Sequence, residues 1–346
     1  MKSPDRANKK TSDMSRILGS NVVPFAPSDL PFDDQGRIYH LQIKPEQLAP
    51  NILIVGDPGR ARMIGSTFFE HVEFEHEHRG LVTITGMPHQ DNLQPGGFAP
   101  VRTTITTSGM GTPSLEIILQ ELVALNEIDI ARRLPKNTFP RLHIIRVGTS
   151  GGLQPTTQLG TPIISSYSIG LDNCGLYYEV PFADDNCQKI ERDIRDLIDK
   201  KMKPHSRFAN SIYPYVARAE PKLVHILSES ADLLGIDYKL GLTVSCGGFF
   251  APQGRDITRI HPSISDLDQI LSDYDPDVDG QIIENMEMES SFLFHFFGGL
   301  GYWSAAICTA IANRRLNTFD SNYQQSIQLS IRTALLALSI ARSRFP

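Results

Sequence analysis

This chain is poor in cysteine, carries one tryptophan and has no long apolar run. Its four cysteines, Cys174, Cys187, Cys246 and Cys308, form no Cys-x-x-Cys pair and no metal-ligand spacing, which excludes a zinc ribbon or a disulfide-stapled scaffold. They read as reduced thiols and imply a cytoplasmic location. No segment approaches the roughly 18 uninterrupted apolar residues of a membrane span. Residues 1–36 are rich in Lys, Ser, Asp and Pro and lack the apolar core of a signal peptide. Positive charge is in deficit, since 33 Lys and Arg against 39 Asp and Glu give a net charge of −6. That balance argues against nucleic acid or an anionic membrane as partner, while leaving room for a small anion held by a few local arginines.

What remains is an ordinary globular composition, 40% hydrophobic and 21% charged over 346 residues. Residues 1–36 are expected to form a poorly ordered extension, and residues 37–346 a single domain. Short apolar runs at 52–55, 81–85, 101–107, 142–147, 161–165, 240–246 and 303–311 read as strands. Helical patterns lie between them, at 113–126 behind a leading Pro113, at 187–202 with Ile190, Ile194, Leu197 and Ile198 on one face, and at 321–342. This alternation predicts an α/β fold, a three-layer α/β/α sandwich with a central mixed sheet and ligands at strand C-terminal ends. The polar stretches 87–100, 132–140 and 257–280 read as surface excursions. The last contains "SDYDPDVDG", which lacks EF-hand spacing and reads as a solvated loop.

Two strand ends carry the first chemical signal. In "NILIVGDPGR", Gly56 and Gly59 allow a tight turn whose N–H groups approach an anion, and Arg60 adds a planar cation. Taken alone, an ordinary strand-to-helix turn accounts for this fragment equally well. In "HIIRVGTSGGLQP", Arg146 stands inside an apolar strand, a costly position unless an anion or carboxylate pairs with it, and Thr149 and Ser150 follow in a glycine-rich turn. "TSGMGTPS" is a third such turn, leading into a helix. Together they form a phosphate cradle without the Gly-Lys-Ser/Thr of nucleoside triphosphate sites. His76 and His78 have no third partner in the sequence pattern, so no metal is expected.

"VGDPGR", "EHRG", "TSGMGTPS", "IIRVGTSGG", "FFAPQGR" and "NMEMESS" occur in the order and approximate spacing of the nucleoside phosphorylase family, so residues 37–346 resemble one of its catalytic domains. The resemblance implies reversible phosphorolysis of uridine, with inorganic phosphate as co-substrate and no cofactor. Gly56, Arg60, Arg146 and Thr149 would hold phosphate, and Met288 and Glu289 the ribose. Ser150, Gly151, Phe249, Gln253, Arg255 and Arg314 would hold the base. Catalysis would rest on Arg60, Arg146, Thr149, Glu289 and Arg255. His40 and Arg79 match residues that reach a neighbouring subunit's ribose and phosphate, which implies a homo-oligomer, taken as a dimer with shared sites. Ala312-Asn313 stands where purine-cleaving relatives carry Ser-Asp, and an amide is no general acid. The competing readings are a purine nucleoside phosphorylase or nucleosidase of the same family, and a non-catalytic nucleoside-binding module.

Overall fold

Asn51–Val55 forms the first strand, β1, with all five residues buried. A run this uniformly apolar suits a strand covered on both faces. In the computed structural model of the protein, which describes residues 23–345, β1 leads into α1 (Pro58–Phe68), β2 (Phe69–His78), β3 (Leu81–Pro88), β4 (Thr103–Thr107) and α2 (Thr112–Glu127). The short strands β5 (Ile128–Asp129) and β6 (Leu134–Pro135) pair apart from the main sheet. The chain continues through β7 (His143–Gly152), β8 (Pro162–Leu171), α3 (Asp185–Lys201), β9 (Tyr215–Arg218), α4 (Pro221–Leu233) and β10 (Lys239–Cys246). It ends with α5 (Leu267–Ser272), β11 (Ile283–Glu287), α6 (Ser290–Leu300), β12 (Trp303–Asn313), β13 (Thr318–Phe319) and α7 (Gln324–Arg344).

The main sheet runs β13-β12-β8-β10-β11-β7-β1-β4-β3-β2, with β9 attached to β8. Strands β4, β1, β7 and β12 are parallel. Strands β8, β10 and β11 are parallel to one another but antiparallel to β12 and β7. Since β12 pairs with both β7 and β8, these five strands close into a ring at one end of the mixed sheet. Helices α1, α4 and α7 cover one face through Ile64, Ile226 and Leu335. Helices α2 and α6 cover the other through Leu119 and Phe297. Helices α3 and α5 seal the ring through Ile194 and Leu271. The predicted three-layer architecture is the one observed.

Three expectations need correction. Residues 1–22 lie outside the described residues, but residues 23–36 are not a loose extension: Phe25, Leu30 and Phe32 pack against the α2–α6 core, and the Phe25 N–H donates to Arg133 O at 2.9 Å. The 257–280 stretch is more than a surface excursion, because it contains α5 and buries Ile264, Leu267, Leu271 and Val278, although Asp273, Asp275, Asp277 and Asp279 of its acidic piece are exposed. The glycine-rich segment after Val147 is no turn, since Gly148–Gly152 continues β7 and pairs with the end of β12.

His143 opens β7 wholly buried, against the Trp303 ring at 5.1 Å. Burial, with Arg342 and Arg141 adding to it, lowers its pKa to about 4. Because the folded value lies below the ordinary histidine value near 6.5, this site's full contribution is present above that pH and is lost as pH falls towards 4. The shift corresponds to a loss on the order of 3 kcal/mol. Urea unfolding of the wild type and His143→Gln from pH 7 to 4 should give a flatter pH dependence for the variant; parallel curves would contradict this assignment.

Candidate active site

At the C-terminal end of β1, Gly56 passes so close to the Gly109 carbonyl that a Cβ there would sit 3.3 Å from its oxygen. Asp57 caps α1, accepting from the N–H groups of Gly59 at 3.3 Å and Arg60 at 2.9 Å, with Pro58 at the first helical position. The cap fixes the first helical turn and with it Arg60, whose Nη1 donates to Val147 O at 3.3 Å. Burial lowers the Arg60 pKa, and the neighbouring Arg146 lowers it further. Two guanidiniums lining one cavity repel each other unless carboxylates or a bound anion offset their charge.

Arg146 extends from β7 and is buried. Its Nη2 is ion-paired with Glu289, its Nη1 lies 3.4 Å from Glu287 Oε2, and the same Nη1 donates to Cys308 Sγ at 3.1 Å. Burial opposes the charge on Arg146, but Glu289 and Glu287 outweigh it and hold the pKa above the ordinary arginine value. The guanidinium folds over Gly148, where a Cβ would lie 1.8 Å from Nη1, so a side chain at 148 would push Arg146 from its present position.

Glu287 ends β11 and accepts from the backbone N–H groups of Glu289 and Ser290 at 2.9–3.1 Å, which makes it the acceptor at the start of α6. It also accepts from Ser245. Glu289 accepts from the Gly111 N–H at 2.6 Å, tying the glycine turn before α2 to the same cluster. Burial raises the Glu289 pKa, Arg146 opposes this, and Glu287 adds to it.

The far end is polar and aromatic. Gln253 is buried, and its Oε1 accepts from Arg255 Nη1 at 2.8 Å. The Arg255 guanidinium also donates to Phe249 O and lies 3.9 Å from the centre of the Phe249 ring. Burial and then Arg314 lower the Arg255 pKa. With Oε1 engaged, the amide turns its NH2 to other acceptors. Ser150 is fixed by Asn285 Nδ2 at 2.9 Å.

A cavity of about 520 Å³ joins these parts. Of the residues singled out in the sequence, Gly56, Arg60, Arg146, Thr149, Ser150, Gly151, Phe249, Gln253, Arg255, Met288 and Glu289 line it. Arg314 does not: it sits behind the wall, 3.0 Å from Asp268 Oδ2. Asn313 is also out of reach, since its Nδ2 donates to Gln154 O at 2.8 Å and Thr157 O at 2.7 Å while its Oδ1 accepts from Leu316 N.

His40 and Arg79 lie together elsewhere. The His40 ring contacts Tyr39 at 4.8 Å, and the Arg79 guanidinium stands 5.2 Å from the centre of that same Tyr39 ring. His40 Nδ1 and Glu121 Oε1 are 2.8 Å apart. Sequence reasoning missed Ile311 and Phe319, which line the cavity from β12 and β13, because no polar pattern marks them. The Asp57 cap was missed as well, and the signal that marks it is an Asp directly before a first-turn proline.

One end of the cavity sets Arg60 and Arg146 among Asp57, Glu287 and Glu289, and it runs into a polar and aromatic far wall, two chemically distinct ends that suit a group-transfer enzyme. Residues 50–340 match the sequence profile of the phosphorylase superfamily, and the chain belongs to that family. It is similar to the uridine phosphorylase of Thermococcus kodakarensis, at 27% identity over 319 residues and 92% of each chain. It is similar to the DeoD-type purine nucleoside phosphorylase of Roseobacter denitrificans, at 34% identity over 146 residues, 42% of this chain and 53% of that one. The fold superposes on a Trypanosoma brucei nucleoside phosphorylase described as having uridine phosphorylase activity, with a TM-score of 0.77 and 24% identity, covering 91% of this chain and all of that one.

Removing Arg146 would leave Glu287 and Glu289 buried without their cation. Arg146→Met should cost about 3–5 kcal/mol in urea unfolding, and adding Glu287→Gln and Glu289→Gln should recover much of it. A loss below about 1 kcal/mol would contradict the cluster's role.

Proposed function

We propose that this protein catalyses the reversible phosphorolysis of uridine to uracil and ribose 1-phosphate, as part of pyrimidine salvage. The observation that carries the choice of base is where the carboxylates stand. Among the described residues those lining the cavity are Asp57, Glu287 and Glu289, all at the phosphate and ribose end, and the base end has none. A purine leaves most readily when a protein acid protonates its ring. Uracil can leave as an anion, its charge spread over its carbonyl oxygens and stabilised by a guanidinium. Asn313, the residue aligned with the purine enzymes' acid, has both ends of its amide committed to backbone groups.

In this reading Gly56, Arg60, Arg146 and Thr149 hold phosphate below C1′, and Met288 and Glu289 hold the ribose. Glu289 accepts from the sugar hydroxyls as it does from the Gly111 N–H. A phosphate oxygen forms the new bond to C1′ as the C1′–N1 bond breaks and its electron pair leaves with uracil. The base then takes a proton from water. Arg255 donates to a uracil carbonyl, the Gln253 NH2 to another, and Phe249 stacks nearby. Inorganic phosphate is the co-substrate and no cofactor takes part. The Arg60 guanidinium, held only by the Val147 carbonyl among the described residues, is left for an anion that hydrolysis by water would not need, which favours phosphorolysis.

The reading also includes a homodimer with shared sites. His40 and Arg79 stand outside their own cavity and beside each other, as residues offered to a partner would. Arg79 and Gly80 form the two-residue connection between β2 and β3, with φ of +55° and +78°, a hairpin turn that presents Arg79 at its tip. The four free cysteines accord with a cytoplasmic location, and among the described residues no helix is long and apolar enough to cross a membrane.

Purified protein incubated with uridine or inosine, each with and without phosphate, should release uracil only in the uridine-plus-phosphate reaction. Hypoxanthine from inosine would overturn the base assignment. For the shared site, Arg79→Asn keeps a residue suited to the left-handed turn while removing the guanidinium. Mixing inactive Arg79→Asn with inactive Arg60→Ala after verified subunit exchange should restore part of the activity; no recovery would contradict the shared site.

A raised Glu289 pKa places the loss of its ionised form above the ordinary carboxylate range. Activity should therefore fall on the acid side earlier than an exposed carboxylate would allow, with Glu289→Gln inactive at every pH. An acid limb confined below the ordinary carboxylate range would contradict that role.

A further inference from the structure

The acidic 257–280 stretch holds one carboxylate that belongs to the pocket's construction. Asp268, the second residue of α5, is buried at 7% exposure. Its Oδ2 takes the Arg314 guanidinium at 3.1 Å through Nε and 3.0 Å through Nη2. Its Oδ1 presses on Gly254, where a Cβ would lie only 2.1 Å away. Gly254 has φ +75° and separates Gln253 from Arg255. One carboxylate therefore touches both the residue that shapes the Gln-Gly-Arg element and the second guanidinium beside it.

Further contacts fix α5 in place. Arg315, next to Arg314, pairs with Asp273 at the far end of α5. Gln154 Nε2 donates to Ser272 O at 3.1 Å and to Ile283 O at 2.7 Å, and Gln154 O is itself one acceptor of the Asn313 amide. The short helix is thus clasped to the end of β12 by two arginines and to the end of β7 by a glutamine.

We propose that Asp268 is a positioning residue for base recognition: it holds Arg314 behind the cavity wall and seats Gly254, so that Gln253 and Arg255 present their donors to the base. The proposal rests on the assignment of this end of the cavity to the nucleobase. Without the Asp268 charge, Arg314 stands 3.5 Å from the Gln253 carbonyl as a second, uncompensated cation beside Arg255. Two like charges there compete for the same acceptors and push the loop apart. The phosphate end shares no residue with this clasp.

Asp268→Asn keeps the shape and removes the charge. It should raise the KM for uridine about tenfold while leaving the KM for phosphate within about twofold. Arg314→Gln added to Asp268→Asn should bring the uridine KM back towards wild type, because the uncompensated cation is then gone. An unchanged uridine KM, equal increases in both KM values, or no recovery in the double variant would each overturn the proposal. Should Asp268→Asn fail to fold, Arg314→Gln alone, which leaves Asp268 buried and unpaired, carries the same split between the two KM values. Wild-type turnover of inosine instead of uridine would sink the uridine reading separately, and the Asp268 effect would then be read on the inosine KM.

Discussion

The buried charge cluster of Arg146, Glu287 and Glu289 constrains the rest of the site. A guanidinium inside a parallel strand costs several kcal/mol unless it is paired and hydrogen-bonded, and here two carboxylates from the end of β11 and the start of α6 meet it. The pairing fixes three elements relative to one another. It orients Glu289 towards the Gly111 N–H at the start of α2, and the guanidinium takes up the space that a side chain at position 148 would need. Arg60, brought to the same wall by the Asp57 cap, faces a cation that has already used part of its charge on carboxylates. In the proposed reading, phosphate completes the site between them.

The ring closure of the sheet places the far end of the cavity. Arg146, the fourth residue of β7, and Arg60, in the first turn of the helix after β1, form the arginine-lined end. Strands β8, β10 and β11 return antiparallel to β12 and β7, and the segment after β10 brings Phe249, Gln253 and Arg255 over the other end of the cavity. In the proposed reading, the distance between phosphate and base is thereby set by strand pairing, and the identity of the base by a loop. A loop can change faster than a barrel, which suits a family whose relatives include both uridine and purine nucleoside phosphorylases.

Much of this was legible in the amino-acid order. The alternation of strands and helices gave the layered fold, and Arg146 announced itself by standing in an apolar run. Gly56, Arg60, Gln253 and Glu289 sit in motifs whose order carries the family. Other features were not legible, for physical reasons. Glycines after Val147 suggest a turn, yet Gly148–Gly152 remains extended because β12 pairs along it. Asp268 looks like one more surface acid in a charged stretch, and only the packing of α5 onto Gly254 distinguishes it. Phe25, Leu30 and Phe32 lie in a polar segment whose composition hides three core contacts. Arg314 was read as a base ligand, but its partner, Asp268, lies 46 residues away in sequence.

The central claim is that the arginine-lined end of the cavity holds phosphate as the attacking group. Phosphorus NMR of a reaction of uridine with inorganic phosphate tests it directly. The account predicts a ribose 1-phosphate resonance that grows in equal proportion to the uracil released and fails to appear with Arg60→Ala. Uracil accompanied by free ribose, with the phosphate signal unchanged, would show that water is the nucleophile and contradict the account.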